Sequence, residues 1–267
     1  MTSSKKGINT FQLKIFGLIF MTLDHIGQYL YNRIDMNPLR ILGRIAAPLF
    51  LYVTVISLSH TKSRVKYALR LYTAHVLICL FTLFATTIGE ELFGSHDQFS
   101  ILSTFLYVVL FVSLIEKMIN FHKSKTLPFL FCCFLMIAII VVPLMAMHLP
   151  GNFSLLASIF LPDVLTVPYS PFFVLMGILW YFAGKKSIQM AILVFFSFLS
   201  MIGSYLSAYS NIWLFTGFFN PIQFFMILFL PFLYWYCDEK GKSLKRFFYI
   251  YYPAHIFVLM LIGKHFL

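Results

Sequence analysis

Apolar residues along the chain fall in repeated runs of about twenty, separated by short polar segments. A helix of that length rises about 1.5 Å per residue and spans the roughly 30 Å hydrocarbon core of a bilayer. The runs are continuous and do not alternate with period two, which favours helices over barrel strands. The pattern predicts nine spans, at residues 11–31, 39–59, 68–88, 99–116, 127–148, 164–184, 187–208, 213–236 and 246–266.

The stretch 149–170 interrupts this pattern. Residues 153–160 are apolar, but prolines and a glycine surround them, at Pro150, Gly151, Pro162, Pro168 and Pro171. Proline lacks the backbone N–H that a helix interior needs. The stretch is therefore either a surface loop or a short re-entrant segment that adds a tenth element, so the expected count is about nine spans, between eight and ten.

The charges of the loops predict the orientation in the membrane. Every second loop is basic, and these loops hold Lys62, Arg64 and Lys66; Lys117, Lys123 and Lys125; Lys185 and Lys186; Lys240, Lys242, Lys245 and Arg246. The loops between them lack this excess, and 89–98 is acidic. Because basic loops stay on the cytoplasmic side, we expect the N-terminus in the cytoplasm and the C-terminus on the opposite side.

The composition excludes an ordinary water-soluble globular protein. The chain is 60% hydrophobic and only 11% charged, whereas a soluble domain has roughly 25% charged residues. The net charge of +11 follows from the basic loops and needs no nucleic-acid partner. A basic face that attracts a phosphorylated substrate is the alternative explanation.

No internal repeat, low-complexity tract or soluble domain is visible in the sequence. The four cysteines have no metal-ligand spacing, so we expect reduced thiols and no metal site. These features predict one all-α integral membrane domain over residues 1–267, a polytopic helix bundle in the bilayer of the cell (inner or plasma) membrane.

Ionisable side chains within the first two predicted spans indicate function, because charge is costly inside a bilayer. Helix rise places Asp24 about 10 Å and Arg44 about 8 Å below the same outer surface, so the two are level if the helices are antiparallel neighbours. Gly43 would permit a close approach. A structural ion pair explains one arginine, but Arg40 shares the face of Arg44. Because Asp24 compensates only one arginine, the second arginine and His25 leave excess positive charge. That charge faces an anionic or reactive group.

His25 is the candidate general base, because a neutral imidazole accepts a proton near pH 7. Lys14 stands eleven residues earlier, on nearly the same helix face and about 16 Å away along the axis. A snorkelling anchor is the alternative for Lys14. His255 follows Tyr251 and Tyr252 within one turn and forms a candidate second site, in which a tyrosine holds the imidazole. An aromatic belt is the alternative for the tyrosines.

Four segments together resemble the TraX family, nearly end to end. They are Lys14-Ile15-Phe16 with 20–27 (FMTLDHIG), 39–50 (LRILGRIAAPLF), 60–64 (HTKSR) with Tyr67 and Arg70-Leu71, and 248–255 (FYIYYPAH). The family's founding member is associated with N-terminal acetylation of pilin, and the family is similar to broader integral membrane acyltransferases. In those proteins a basic residue, ten intervening residues and a histidine stand in the first helix, which corresponds here to Lys14 and His25.

The resemblance implies an acyltransferase, expected to move acetyl from cytoplasmic acetyl-CoA to the oxygen or nitrogen of an acceptor. That acceptor is a protein N-terminus, a glycan or a lipid. His25 would act as the base, and Asp24 would hold Arg40 or Arg44, which bind substrate or stabilise negative charge. The chain departs from the family pattern at 74–79 (AHVLIC) and 99–105 (FSILSTF), so pilin is not assumed.

The acyl donor would meet the basic residues near the cytoplasmic face. Lys14, Lys62, Arg64 and Arg70 are expected to contact the phosphates of coenzyme A. The rival class is a transporter or flippase, in which the polar residues would bind an ion or a lipid head group. A non-catalytic component of a surface-assembly system is a further alternative.

Overall fold

A computed structural model describes residues 7–29, 38–88, 100–122, 126–150, 152–207, 218–242 and 245–266. These residues form helices, apart from turns, loops and one isolated β-bridge between Ile8 and Tyr236, so the prediction of an all-α fold is confirmed. The α-helices are α1 Thr10–Tyr29, α2 Pro38–Gly43, α3 Ala46–Ser59, α4 Arg64–Ile88, α5 Leu102–His122, α6 Thr126–Ala146, α7 Asn152–Phe160, α8 Ser170–Phe182, α9 Lys186–Ser207, α10 Leu230–Trp235 and α11 Lys245–Phe266; a 3₁₀ helix covers Pro221–Phe229.

Five helical stretches of the described residues are long and apolar enough to cross a membrane. They are Pro38–Ser59, Arg64–Phe84, Leu102–Phe121, Thr126–Ala146 and Lys186–Leu206. Shorter apolar helices cover Ser170–Phe182, Pro221–Trp235 and Ile250–Leu259. The polar side chains of α1 lower its mean hydropathy, and it falls outside both groups. The helices are those of a membrane protein, while the count of nine spans and the cytoplasmic N-terminus stay predictions.

The second predicted span, 39–59, is broken into α2 and α3. At the break, the amides of Arg44 and Ile45 each donate to the carbonyl three residues earlier, at 3.2 Å. Pro48 accounts for the interruption. It has no N–H for the carbonyl of Arg44, four residues before it, and its ring would clash with that carbonyl in a continuous helix.

The eighth predicted span, 213–236, is also two elements over its described part. Its first element is the nine-residue 3₁₀ helix Pro221–Phe229, capped by Asn220, whose side chain accepts from the amide of Ile222. Runs of 3₁₀ helix longer than about four residues are uncommon. Pro231, at the start of α10, cannot donate a backbone hydrogen bond at the junction.

The interrupted stretch 149–170 contains the short helix α7 and a loop, 161–169, that packs against α5. Tyr107 donates to the carbonyl of Pro162 at 2.5 Å, and Thr104 donates to that of Pro168 at 2.8 Å. Tyr169 has a positive φ of 64°, and α8 begins only after it. The predicted start at residue 164 was therefore too early, and a re-entrant path for this stretch stays an open alternative.

The chain forms two compact units, residues 1–56 with 182–267, and residues 57–181. In the first unit α1 packs against α2 and α11, and the 3₁₀ helix packs against α9 and α2. In the second unit α5 packs against α4 and α6, and α7 also contacts α4 and α6. The single domain over residues 1–267 stays a prediction.

The start of α1 is fixed by the end of α10 and the residues that follow it. The amide of Ile8 donates to the carbonyl of Trp235 at 2.8 Å, and the amide of Cys237 donates back to Ile8 at 3.0 Å. The hydroxyls of Thr10 and Tyr236 are hydrogen-bonded at 3.0 Å. These contacts fix the position of α1 along its own axis relative to α10. They therefore also fix the positions of the polar residues of α1.

Candidate functional site

A buried ion pair joins α1 to α2. Nη2 of Arg44 donates to both carboxylate oxygens of Asp24 at 2.5 Å, and each residue is only 7% exposed. A Cβ at Gly43 would overlap the Asp24 side chain, so the glycine allows the two helices to approach. The predicted antiparallel pairing at one level, and the predicted use of Gly43, are both confirmed.

Asp24, Arg40 and Arg44 form a cluster, in which Arg40 is the second arginine. Its Nε lies 3.7 Å from Oδ1 of Asp24, and its Nη1 donates to Oε1 of Gln28 at 2.8 Å. The Arg40 side chain is 18% exposed and that of Arg44 is 8% exposed. Arg40 is therefore the more accessible guanidinium and the one held less tightly by the carboxylate.

Gln223 completes the cluster from the 3₁₀ helix. Its Oε1 accepts from Nη1 of Arg44 at 3.4 Å, and the residue is fully buried. Sequence reasoning missed this glutamine. The available signal was a polar residue in an apolar run, directly after the cap Asn220 and Pro221.

His25 and His255 contact each other across the interface of α1 and α11. Nδ1 of His25 lies 2.8 Å from Nε2 of His255, and Nδ1 of His255 lies 2.8 Å from the carbonyl oxygen of Tyr251. That carbonyl only accepts, so Nδ1 of a neutral His255 carries the proton and its Nε2 accepts from His25. The hydrogen-bond pattern thus assigns Nδ1–H to His25 and makes Nε2 its basic nitrogen.

Tyr251 holds the second imidazole. Its ring stacks on that of His255 with centroids 5.0 Å apart, and its hydroxyl is hydrogen-bonded to Oγ1 of Thr22 at 2.7 Å. Tyr252, the other tyrosine of the predicted second site, meets the His255 ring edge-on at 5.9 Å. Of the two tyrosines, Tyr251 thus makes the closer, face-to-face contact with His255.

These contacts give the direction of α11. Thr22 is level with Tyr251, and His25 is level with His255, so α1 and α11 run parallel. In a chain with an odd number of spans, such as nine, the first and the last span run in the same direction. Sequence reasoning proposed His25 and His255 as separate sites, and the structure unites them.

Lys14 lies half-buried in the second turn of α1. It precedes His25 by eleven residues, which corresponds to about 16 Å of helix rise. Its predicted contact with an acyl donor stays a prediction.

Arg64 belongs to a network in the second unit. It forms an ion pair with Glu116 and donates from Nη2 to the hydroxyl of Tyr181 at 2.7 Å. That hydroxyl donates in turn to Glu116 at 2.6 Å. A carboxylate of the protein therefore already compensates the charge of Arg64, which weakens the case for this residue as a phosphate ligand.

Lys62 and Arg70, also in the second unit, are exposed. The Arg70 guanidinium lies 5.5 Å from the ring centroid of Tyr67 and donates from Nε to the carbonyl of Lys66 at 3.3 Å. Their predicted role as coenzyme A ligands stays a prediction.

The arrangement in the first unit joins a proton acceptor to a source of positive charge. His25 is adjacent in sequence to Asp24, and the carboxylate holds two arginines. Such a site can take up a proton and stabilise a developing or resident anion. Within the described ranges, no group of three or more histidine, cysteine, aspartate or glutamate side chains is placed to hold a metal ion.

Comparison with known proteins identifies a family. No curated protein and no solved structure matches the chain. A protein-family model, described as TraX protein, matches residues 10–263. The match runs from the first residue of α1 to residue 263 in α11. It therefore includes every residue of the cluster and of the histidine pair. The chain belongs to the TraX family.

Proposed function

We propose that this protein is an integral membrane acyltransferase. It transfers an acetyl group from acetyl-CoA to an oxygen or nitrogen atom of a membrane or cell-surface acceptor. The observation that carries the proposal is the 2.8 Å contact between His25 and His255, beside a buried Asp24–Arg44 pair. Acyl transfer needs a base for the acceptor proton and positive charge for the developing oxyanion.

His25 acts as the base. Its Nε2 takes the proton of the acceptor hydroxyl or amine as the acceptor atom bonds to the thioester carbonyl carbon. When the carbon–sulfur bond breaks, the His25 imidazolium returns that proton to the departing thiolate. His255 positions His25 by accepting its Nδ1–H, and the Tyr251 carbonyl positions His255.

Arg40 and Arg44 supply positive charge. Arg44 is bound to both oxygens of Asp24, so its main task is to fix the cluster. Arg40 lies farther from the carboxylate and is more exposed, which favours it for direct contact with substrate. A neutral amide from Gln28 orients its guanidinium without cancelling its charge.

Lys14 would hold the phosphates of the acyl donor at the start of α1. The helix rise of about 16 Å between Lys14 and His25 is comparable to the length of an extended pantetheine arm. Acetyl-CoA supplies the activated thioester. In this proposal the N-terminus and the basic loops face the cytoplasm, where the donor is found, and the protein resides in the inner or plasma membrane with nine spans.

Inverted membrane vesicles test the function. Vesicles that contain the wild-type protein receive [¹⁴C]acetyl-CoA, and label in envelope protein, glycan and lipid fractions is followed over time. We expect label that depends on the protein and that falls about 10²-fold or more in His25→Gln, the scale of a lost general base. His148→Gln, a change at an exposed histidine, serves as the control and should keep the wild-type rate.

The outcomes separate the enzyme from its rivals. Transfer at the wild-type rate in His25→Gln would show that His25 is no base. Altered uptake of a solute or lipid with unchanged acylation would favour a transporter or flippase. The purified protein should also bind acetyl-CoA, for which a transporter has no need.

A further inference from the structure

Helices α7 and α8, both in the second unit, are each too short to cross a membrane. α7 has 9 residues and α8 has 13, which correspond to about 13 Å and about 20 Å of helix rise. The hydrocarbon core of a bilayer is about 30 Å thick. Only the two helices together have the length of one span.

The ends of α7 and α8 lie at opposite ends of this unit. Arg64 marks one end, where it pairs with Glu116 and donates to the hydroxyl of Tyr181, near the end of α8. Ala146, the last residue of α6, marks the other end, and a short connection joins it to α7. The chain therefore enters α7 at the Ala146 end and leaves α8 at the Arg64 end.

The break between the two helices, residues 161–169, lies at the depth of the hydrocarbon core. Tyr107 donates to the carbonyl of Pro162 at 2.5 Å, and its hydroxyl lies 3.3 Å from the carbonyl oxygen of Ile139. Ile139 belongs to the apolar stretch Thr126–Ala146 and stands about 10 Å of helix rise before its end. α7 and α8 therefore form one span that is broken inside the membrane.

Asp163 brings a carboxylate into this break, and the residue is only 2% exposed. Its Oδ1 accepts from the amide of Leu165 at 3.2 Å. Its Oδ2 is buried and has no hydrogen-bond partner among the described residues. An ionised carboxylate is costly when it is taken out of water without such partners, and more so within a bilayer. The Oδ2 atom therefore needs a positively charged ligand.

A small monovalent cation suits this oxygen. α7 ends at Phe160, three residues before Asp163, so the negative end of the helix dipole adds to the charge of the carboxylate. The unwound backbone of broken spans and the C-terminal ends of half-helices bind Na⁺ or protons in membrane proteins. One such charge neutralises the single carboxylate.

Three titratable side chains of neighbouring helices contact this region. Tyr107 of α5 interacts electrostatically with Asp163, while Tyr72 and His75 of α4 reach the backbone of the last turn of α7. Unlike a tyrosine, a histidine ordinarily changes its charge between about pH 5 and pH 8. A test that varies the pH therefore needs a variant of His75.

We propose that the break in the α7–α8 span is a binding site for one monovalent cation, held by Oδ2 of Asp163. The cation is either an alkali ion or a proton, and the shared chemistry is a single positive charge on the carboxylate. The site lies within the second unit and needs no acyl transfer. It is therefore independent of the function proposed above.

Thermal unfolding of the purified full-length protein in phosphatidylcholine nanodiscs tests the proposal. One series replaces N-methylglucamine chloride by NaCl or KCl at constant ionic strength and pH, and a second lowers the pH in N-methylglucamine chloride. The cation that binds should raise the unfolding midpoint saturably, by about 3–6 °C at ten times its Kd. Asp163→Asn, a neutral isostere, should lose this response. Asp238→Asn, the same change at an exposed aspartate, should keep it.

The two series distinguish the sources of the charge. A response to Na⁺ or K⁺ that Asp163→Asn lacks identifies an alkali ion, and a response to pH alone that Asp163→Asn lacks identifies a proton. A wild type that responds to none of the three cations, or a response that Asp163→Asn shares, would overturn the proposal. So would a pH response that only His75→Gln loses. If Asp163→Asn does not fold, Asp163→Glu replaces it, because the longer side chain moves the carboxylate oxygens, and an unchanged response would then overturn the site.

Discussion

The imidazoles of His25 and His255 are hydrogen-bonded at 2.8 Å, from Nδ1 to Nε2, although 230 residues separate them in the chain. This contact joins two functional candidates into one unit. The Tyr251 carbonyl, 2.8 Å from Nδ1 of His255, sets the tautomer of His255 and, through it, that of His25. The acceptor nitrogen of the unit is then Nε2 of His25.

The tautomer of His25 can be measured directly. We expect ¹⁵N NMR of labelled protein at pH 8 to show Nδ1–H and unprotonated Nε2 for His25 in the wild type. His255→Ala removes the acceptor, so the His25 signals should shift towards a mixture of the two tautomers. His148→Ala is the control. A His25 signal that does not respond to His255→Ala would contradict the assignment.

The buried pair of Asp24 and Arg44 should show strong coupling in stability. Removing one partner leaves an uncompensated buried charge, so Asp24→Leu or Arg44→Met alone should lower the free energy of unfolding by about 3–5 kcal/mol. Arg40 also contacts Asp24 and will take part of the effect. The double variant should be more stable than either single variant, as measured by thermal unfolding in detergent. Additive losses would contradict the coupling.

Gly43 should tolerate no side chain. A Cβ would overlap Asp24, so Gly43→Ala must displace α1 or α2 and should cost about 1–3 kcal/mol of stability together with most of the activity. Gly184→Ala is the matched control, because nothing lies within 4 Å of its Cβ. Its positive φ costs about 1–2 kcal/mol, but acetyl transfer should persist. Full activity of Gly43→Ala would show that the close approach is unnecessary.

Part of this site follows from the sequence. Asp24 and Arg44 lie on consecutive elements joined by a short connection, so helix rise alone places them level. Gly43 between the two arginines then indicates the close approach. The helical class and most helix bounds also follow from apolar runs, because the hydrocarbon thickness dictates their length.

The remaining features depend on contacts between distant segments. No periodicity in the chain indicates that α11 packs beside α1, so the pairing of His25 with His255 was missed. Gln223 was missed because its contact with Arg44 joins residues 179 positions apart in the chain. The break at Arg44 follows from Pro48, a local signal that the apolar run concealed.

The most direct test of the account is a double-mutant cycle on the rate of acetyl transfer. His25→Gln, His255→Gln and the double variant are compared in inverted vesicles supplied with [¹⁴C]acetyl-CoA. If His255 acts only by positioning His25, the double variant should be no slower than His25→Gln alone. His255→Gln alone should lose less activity, since its amide oxygen can still accept from Nδ1–H. Wild-type transfer by His25→Gln, or losses that multiply in the double variant, would contradict a base formed by these two histidines.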